Sequence, residues 1–154
     1  MTDAAGHTKV STRRKARELA VQVLYQADLS GMDCRRAIEV YLANFDANAK
    51  AVPYARELIV GVGDRLDAID GDIERHSANW RLARMSVVDR AILRIAFYEI
   101  GVGGIAARVA INEALEIGRR FSTDESVPFL NGILDAYARL IEEQTAATGG
   151  GDHR

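Results

Sequence analysis

Apolar residues recur mostly three or four positions apart along the chain, which is the spacing of helices that bury one face. This pattern predicts six helices, and they begin near Ser11, Cys34, Pro53, Ser86, Ala107 and Pro128. The third keeps one apolar face from Ala55 to Ile73, more than five turns. The fourth is apolar almost all round, so we expect it to form the buried centre of the fold.

No segment alternates strictly between apolar and polar residues, so the sequence predicts no sheet. The expected fold class is all-α, a compact bundle of about six to seven helices joined by short loops. Residues 1–9 and 145–154 lack periodicity, and we predict a disordered N-terminal arm and a disordered tail there. Between them, residues 10–144 form one predicted helical domain.

The first helix has apolar residues on two sides. Its core stripe centres on Ala16, Val23 and Ala27. At 100° per residue the opposite side carries Arg14, Glu18, Val21, Tyr25 and Leu29. This far side changes from basic to apolar along the helix. It indicates either a double interface, with nucleic acid at the basic end and a protein at the apolar end, or a helix covered by neighbours on both sides.

Charge adds a second indication at the same place. The net charge is −2, which weakly disfavours a nucleic-acid partner. However, residues 6–17 contain no acidic residue, and the basic ones are Lys9, Arg13, Arg14, Lys15 and Arg17. At the predicted helix start, each cation would oppose the macrodipole by roughly 0.3–1 kcal/mol, and a phosphate partner would offset that. A solvated charge run remains the alternative to a phosphate-binding patch.

The residues needed for catalysis or metal binding are not grouped in the sequence. The three histidines are far apart, and the single cysteine, Cys34, provides neither a zinc-binding spacing nor an internal disulfide. The glycines at 61–63 and 101–104 lack the sequence context of a phosphate loop. We therefore expect no enzyme, cofactor or metal. No apolar run approaches the roughly 20 residues of a membrane span. The lone cysteine and the charged N-terminus, which is no secretory signal, favour a cytoplasmic protein without membrane contact.

Three stretches resemble the NusB family of bacterial transcription antitermination factors. They are RRKARELAVQVLYQADLS at 13–30, VVDRAILRIAFYEI at 87–100 and VAINEALEIGRRFSTDESVPFLNGILDAYA at 109–138. The third is the most specific, because a basic pair with Phe, an acidic Ser/Thr-containing loop and then Phe-x-Asn-Gly form a long pattern. Between about 32 and 84 the resemblance lies in helix pattern more than in residues.

The resemblance implies an all-helical fold of two packed helical subdomains without a catalytic site. It also implies binding to the boxA element of nascent ribosomal RNA transcripts together with NusE, a small-subunit ribosomal protein. The expected assembly joins the RNA polymerase elongation complex with other Nus factors and suppresses premature termination.

The same resemblance assigns candidate site residues. The RNA-contacting set is Arg13, Arg14, Lys15, Arg17, Gln22, Glu125, Ser126 and Phe129. The NusE-contacting set is Tyr25, Leu29 and Asp89. At position 125 the family often has Asp, and Pro128 replaces a residue that is commonly basic or polar.

Several candidates have a structural alternative. Phe129 could stack on an unpaired base or simply close the core at its helix start. Asp89 has the spacing of a capping box with Ser86. Two other functions also remain open: a helical protein-binding adaptor, and an RNA-binding module of the kind attached to ribosomal RNA methyltransferases.

Overall fold

The computed structural model describes residues 2–78 and 80–149, and all regular structure in them is helical. The α-helices are α1 (Thr2–Ser30), α2 (Cys34–Asn44), α3 (Val52–Asp64), α4 (Leu66–His76), α5 (Val87–Gly101), α6 (Ala107–Phe121) and α7 (Ser126–Gly149). A 3-10 turn spans Leu82–Arg84. The predicted all-α fold class is confirmed. Within these residues, none of the helices has the length and apolarity needed to cross a bilayer.

Three helix bounds differ from the prediction. Helix α1 begins at Thr2, ahead of the start predicted near Ser11 or Thr12. Helix α7 continues to Gly149, so the predicted disordered arm and tail are helical wherever the structure describes them. Met1 and residues 150–154 lie outside the described residues. The predicted third helix is two helices in the structure, α3 and α4. Helix α3 ends before Arg65, which is its C-cap residue and donates its N–H to Val62 O at 3.1 Å.

The helices form two compact units, residues 1–66 and 67–154, in agreement with the two helical subdomains that the resemblance implies. The domain predicted over 10–144 includes residues of both. In the first unit α1 packs on α2 and α3, and α2 packs on α3. Its core includes Ala20, Val23, Ile38, Leu58 and Ile59. Gly63 lets α2 and α3 approach closely, because a Cβ there would lie 2.7 Å from Cys34 Cβ.

In the second unit α5 packs on α6 and α7, and α6 packs on α7. Every residue from 91 to 100 is buried, which confirms the sequence prediction that this helix is the centre of the fold. The buried Arg94 is neutralised by Asp70 on α4, to which it donates twice, from Nε at 2.8 Å and from Nη2 at 2.9 Å. Such a bidentate pair fixes α4 against α5.

An aromatic cluster completes this core. The rings of Phe97 and Tyr137 stack at 4.0 Å between centroids, and His76 meets both edge-on. Gly101 ends α5 against Tyr137, where a Cβ would collide with the phenol oxygen. Burial raises the pKa of Tyr137, and the charge of Asp72 raises it further, so the phenol stays neutral.

Candidate nucleic-acid interface

The basic residues of α1 do not form one patch. Arg13 and Lys15 are exposed and Arg14 is half-buried, but Arg17 is only 4% exposed. Arg13 lies over the ring of Tyr54 on α3, with 4.4 Å between Cζ and the ring centroid, and Arg17 lies 5.7 Å from the same centroid. These are cation–π distances, so both arginines help to hold α1 against α3.

Two interpretations made from the sequence therefore change. Since α1 begins at Thr2, the basic residues lie inside the helix and not at its start, and the macrodipole penalty does not apply to them. Arg17, predicted to contact RNA, is buried and has a packing role. Arg13, Arg14 and Lys15 remain as cations that an external phosphate can reach.

A narrow exposed stripe runs along α1. Lys15, Gln22, Gln26 and Leu29 are all exposed and lie within about 60° of one another around the helix. The Gln22 side chain accepts a hydrogen bond from the Tyr41 hydroxyl on α2 at 2.9 Å, which fixes its amide in the stripe. The stripe therefore runs from a cation through two amides to an apolar end.

The side of α1 opposite its core stripe is partly covered by neighbouring residues and partly exposed. Val21 is buried, as expected of a helix covered on both sides. Tyr25 is half-buried, whereas Leu29 is 58% exposed and follows Tyr25 by one turn. Only the C-terminal end of this side presents apolar surface, and Tyr25 and Leu29, the two predicted partner contacts, lie there.

In the second unit, Asp89 holds the loop between α6 and α7. Its Oδ1 accepts from the Ser122 hydroxyl at 2.7 Å, and its Oδ2 accepts from the Ser126 hydroxyl at 2.8 Å. Thr123 Oγ1 also accepts from the Ser126 N–H at 3.2 Å, at the first turn of α7. The loop that carries Glu125 and Ser126 is thus fixed before any ligand arrives.

This geometry gives Asp89 a structural role, and its predicted contact with NusE stays a prediction. Half of the predicted capping box is present, because Ser86 Oγ accepts from the Asp89 N–H at 3.1 Å. The carboxylate, however, turns to the loop, and the residue is only 6% exposed. Asp89 therefore positions the loop and offers little surface to a protein partner.

We expect Asp89→Ala to lower the free energy of unfolding by about 1–3 kcal/mol, because two half-buried hydroxyls, those of Ser122 and Ser126, lose their anionic acceptor. Urea denaturation followed by circular dichroism measures this. Asp124→Ala, an exposed change in the same loop, serves as the control and should stay within about 0.5 kcal/mol of wild type. Equal midpoints for the two variants would contradict the positioning role.

A groove of about 330 Å³ lies beside this loop. It is lined by Trp80, Arg84, Met85, Ser86, Asp89, Thr123, Glu125, Ser126 and Phe129. The structure thus brings together Glu125, Ser126 and Phe129, the three RNA candidates of this unit. Sequence reasoning missed Trp80 and Arg84, because they lie in an irregular segment without a periodic pattern, and it missed the anchoring role of Ser122.

Comparison with known proteins gives a consistent result. A sequence model of the NusB family matches residues 14–139. Transcription antitermination protein NusB of Solibacter usitatus is 41% identical over 139 residues, covering 89% of this chain and 95% of that protein. The protein of the same name from Myxococcus xanthus is 43% identical over 139 residues, covering 87% of this chain and 99% of that protein.

Solved structures agree. T. maritima NusB matches with a TM-score of 0.74 at 37% identity, over 82% of this chain and 90% of that chain. A chain from a complex of the antitermination factors NusB and NusE with double-stranded RNA matches with a TM-score of 0.72 at 25% identity. That match covers 84% of this chain and 98% of the other.

Proposed function

The chain belongs to the NusB family, and from this membership we propose that it is a transcription antitermination factor that binds boxA RNA together with NusE. Its further role is to join the RNA polymerase elongation complex, with other Nus factors, in the cytoplasm and to suppress premature termination. The binding it performs requires no catalytic group.

One observation carries this proposal: the likeness extends over nearly the full length of proteins that bear this function in their names. The match to the chain from the NusB–NusE–RNA complex covers 98% of that chain, so no large part of the partner-binding protein lacks a counterpart here. The same coverage favours this function over a module attached to a methyltransferase. The relatives matched are antitermination proteins over 95% and 99% of their own lengths.

The RNA-contacting residues we propose lie on both units. On α1 they are Arg13, Arg14 and Lys15, with Gln22 one further contact along the exposed stripe. In the second unit they are Glu125 of the loop that Asp89 fixes, and Ser126 and Phe129 of the first turn of α7. Cations supply a salt-sensitive, sequence-independent attraction, while a fixed loop with an aromatic ring can distinguish unpaired bases.

The NusE contact we propose is the apolar C-terminal end of α1. Leu29 is a large, exposed aliphatic side chain next to the half-buried Tyr25. A single exposed leucine needs no partner, but an aromatic ring beside it makes a suitable anchor for a protein surface. We further propose that NusE enlarges the RNA-binding surface, so that the pair holds boxA more tightly than this protein alone.

Leu29→Asp tests this arrangement. We expect the variant alone to bind boxA RNA as the wild type does, since Leu29 lies outside the proposed RNA contacts, but to lose the gain in affinity that NusE provides. Truncating a central interface anchor costs at least about 2 kcal/mol, or roughly thirtyfold in partner affinity. Fluorescence anisotropy of labelled boxA RNA and of a scrambled RNA, with and without NusE, measures both quantities.

Val109→Asp is a matched control, because Val109 is an exposed apolar residue on α6, in the other unit. It should leave the NusE-dependent gain intact. Wild-type protein that binds boxA and scrambled RNA equally, with and without NusE, would reject the antitermination function in favour of a protein-binding adaptor. A retained NusE effect in Leu29→Asp would instead reject only the partner surface.

A further inference from the structure

Trp80 is the only tryptophan of the chain, and it is 55% exposed. It follows α4 and precedes the 3-10 turn, in a segment without regular structure. Neither the hydrophobic core nor the residues proposed above account for so large an aromatic ring at the surface. Tryptophan exposed beside a groove is typical of binding surfaces, where its flat ring gives contact area at a low entropy cost.

The backbone holds Trp80 in place. Its N–H donates to Ser77 O at 3.1 Å, and its carbonyl lies 2.5 Å from the Ser77 hydroxyl, which belongs to a buried side chain. Ala78 has a φ of 43°, a left-handed conformation that costs an alanine free energy. Strain of this kind persists where the surrounding structure enforces it, often beside a ligand site.

The Trp80 ring contacts Phe129, the aromatic residue at the start of α7. Their centroids are 5.8 Å apart and their planes are inclined by 43°. Rings at this distance touch directly, so no base fits between them. A planar ligand would instead lie on their outer faces, and two adjoining aromatic faces would accept two adjoining planar groups.

The groove around the pair has the groups that bind ribonucleotides. Arg84 is exposed and lines the groove, where it can contact a phosphate. Thr123 and Glu125, both exposed, provide a hydroxyl and a carboxylate for base edges or a 2′-hydroxyl. The Ser126 hydroxyl is held by Asp89. Asp89 also lines the groove, and both of its carboxylate oxygens accept from hydroxyls of the α6–α7 segment, Ser122 and Ser126.

We propose that Trp80 and Phe129 form one stacking platform for two successive unpaired bases of the RNA, with Arg84 holding a phosphate of the same segment. This inference rests on the proposed function, because it extends the RNA contact of the α6–α7 loop across the groove to the segment after α4. Stacking is tolerant of base identity, so the platform contributes affinity for single-stranded RNA, and the loop groups contribute selectivity.

Intrinsic fluorescence tests the platform directly, because tryptophan-selective excitation reports on Trp80 alone. We expect a short single-stranded boxA RNA to quench this emission and to shield it from acrylamide, with the same midpoint as anisotropy. Trp80→Ala should weaken RNA binding at least about fivefold, from one lost stacking contact. Trp80→Phe should restore most of the affinity, and Val109→Ala on α6 should have no effect.

The outcomes separate the platform from the proposed function. RNA binding by the wild type with unchanged Trp80 emission, and with wild-type affinity in Trp80→Ala, would overturn the platform and leave the function intact. Emission that responds to NusE without RNA, with NusE binding lost in Trp80→Ala, would also overturn it and assign the ring to a protein contact. Urea denaturation of Trp80→Leu and wild type shows whether loss of the ring unfolds the protein. If Trp80→Leu is stable but binds RNA as tightly as Trp80→Phe, aromatic stacking is rejected.

Discussion

Phe129→Ala is expected to weaken boxA RNA binding by roughly 5- to 150-fold, since one base–aromatic stack contributes about 1–3 kcal/mol. The ring is half-buried in the first turn of α7, directly after the loop that Asp89 fixes. Binding therefore incurs little ordering cost at this position, and the stacking energy appears almost fully in the affinity. Anisotropy of labelled boxA RNA at one salt concentration measures the loss.

The matched variants Phe129→Leu and Phe129→Tyr decide between stacking and core closure. Leucine keeps apolar volume against the core but has no π-face, whereas tyrosine keeps the ring. Stacking predicts that Leu behaves as Ala does and that Tyr stays within about threefold of wild type. Wild-type RNA affinity in Phe129→Leu would show that the ring only closes the end of the core.

The double variant Arg13→Ala with Lys15→Ala is expected to have the second large effect. Each phosphate contact with single-stranded RNA contributes about 0.7 to the slope of log affinity against log salt, so the slope should fall by about 1.4. The same relation gives a loss of about sixtyfold at 50 mM salt and about tenfold at 200 mM. Both side chains are exposed, so their removal leaves no buried cavity. Arg13 also loses its contact with Tyr54, so the stability of the double variant is compared with wild type by urea denaturation. Arg17 is unsuitable as a probe because its loss would disturb packing.

The control is Arg35→Ala with Arg36→Ala, two exposed arginines on α2 of the same unit. Either pair takes the net charge from −2 to −4, so a general charge effect would change both equally. Only the α1 pair should flatten the salt dependence. Identical salt slopes for the two double variants would contradict the assignment of the phosphate contacts to α1.

The sequence predicts the burial of a helix best where the helix is apolar on nearly every side. Helix α5 is apolar on almost all sides, so its burial can be predicted from its own residues. The break at Arg65 could not be predicted in this way, because Val62, Ile69 and Ile73 keep one helical spacing across it. The spacing of apolar residues does not show that α3 and α4 belong to different compact units.

The site was predictable in its elements and less so in its details. The basic segment of α1 and the acidic loop before α7 are local patterns and could be found. The burial of Arg17 depends on Tyr54 of another helix, and the charged residues around Arg17 in the sequence give no indication of it. The roles of Asp89 and Trp80 likewise follow from distant contacts, with Ser122 and Phe129 respectively.

Amide chemical shifts of isotope-labelled protein, recorded as a short single-stranded boxA RNA is added, map the RNA-binding surface. We expect the largest changes at residues 13–15 and 22 of α1, and at residues 123–129 of the α6–α7 loop and the first turn of α7. A scrambled RNA should perturb α1 similarly, because phosphate contacts are independent of sequence, but should perturb the loop less. Changes confined to other surfaces, such as the exposed side of α6 around Arg108 and Val109, would contradict the account.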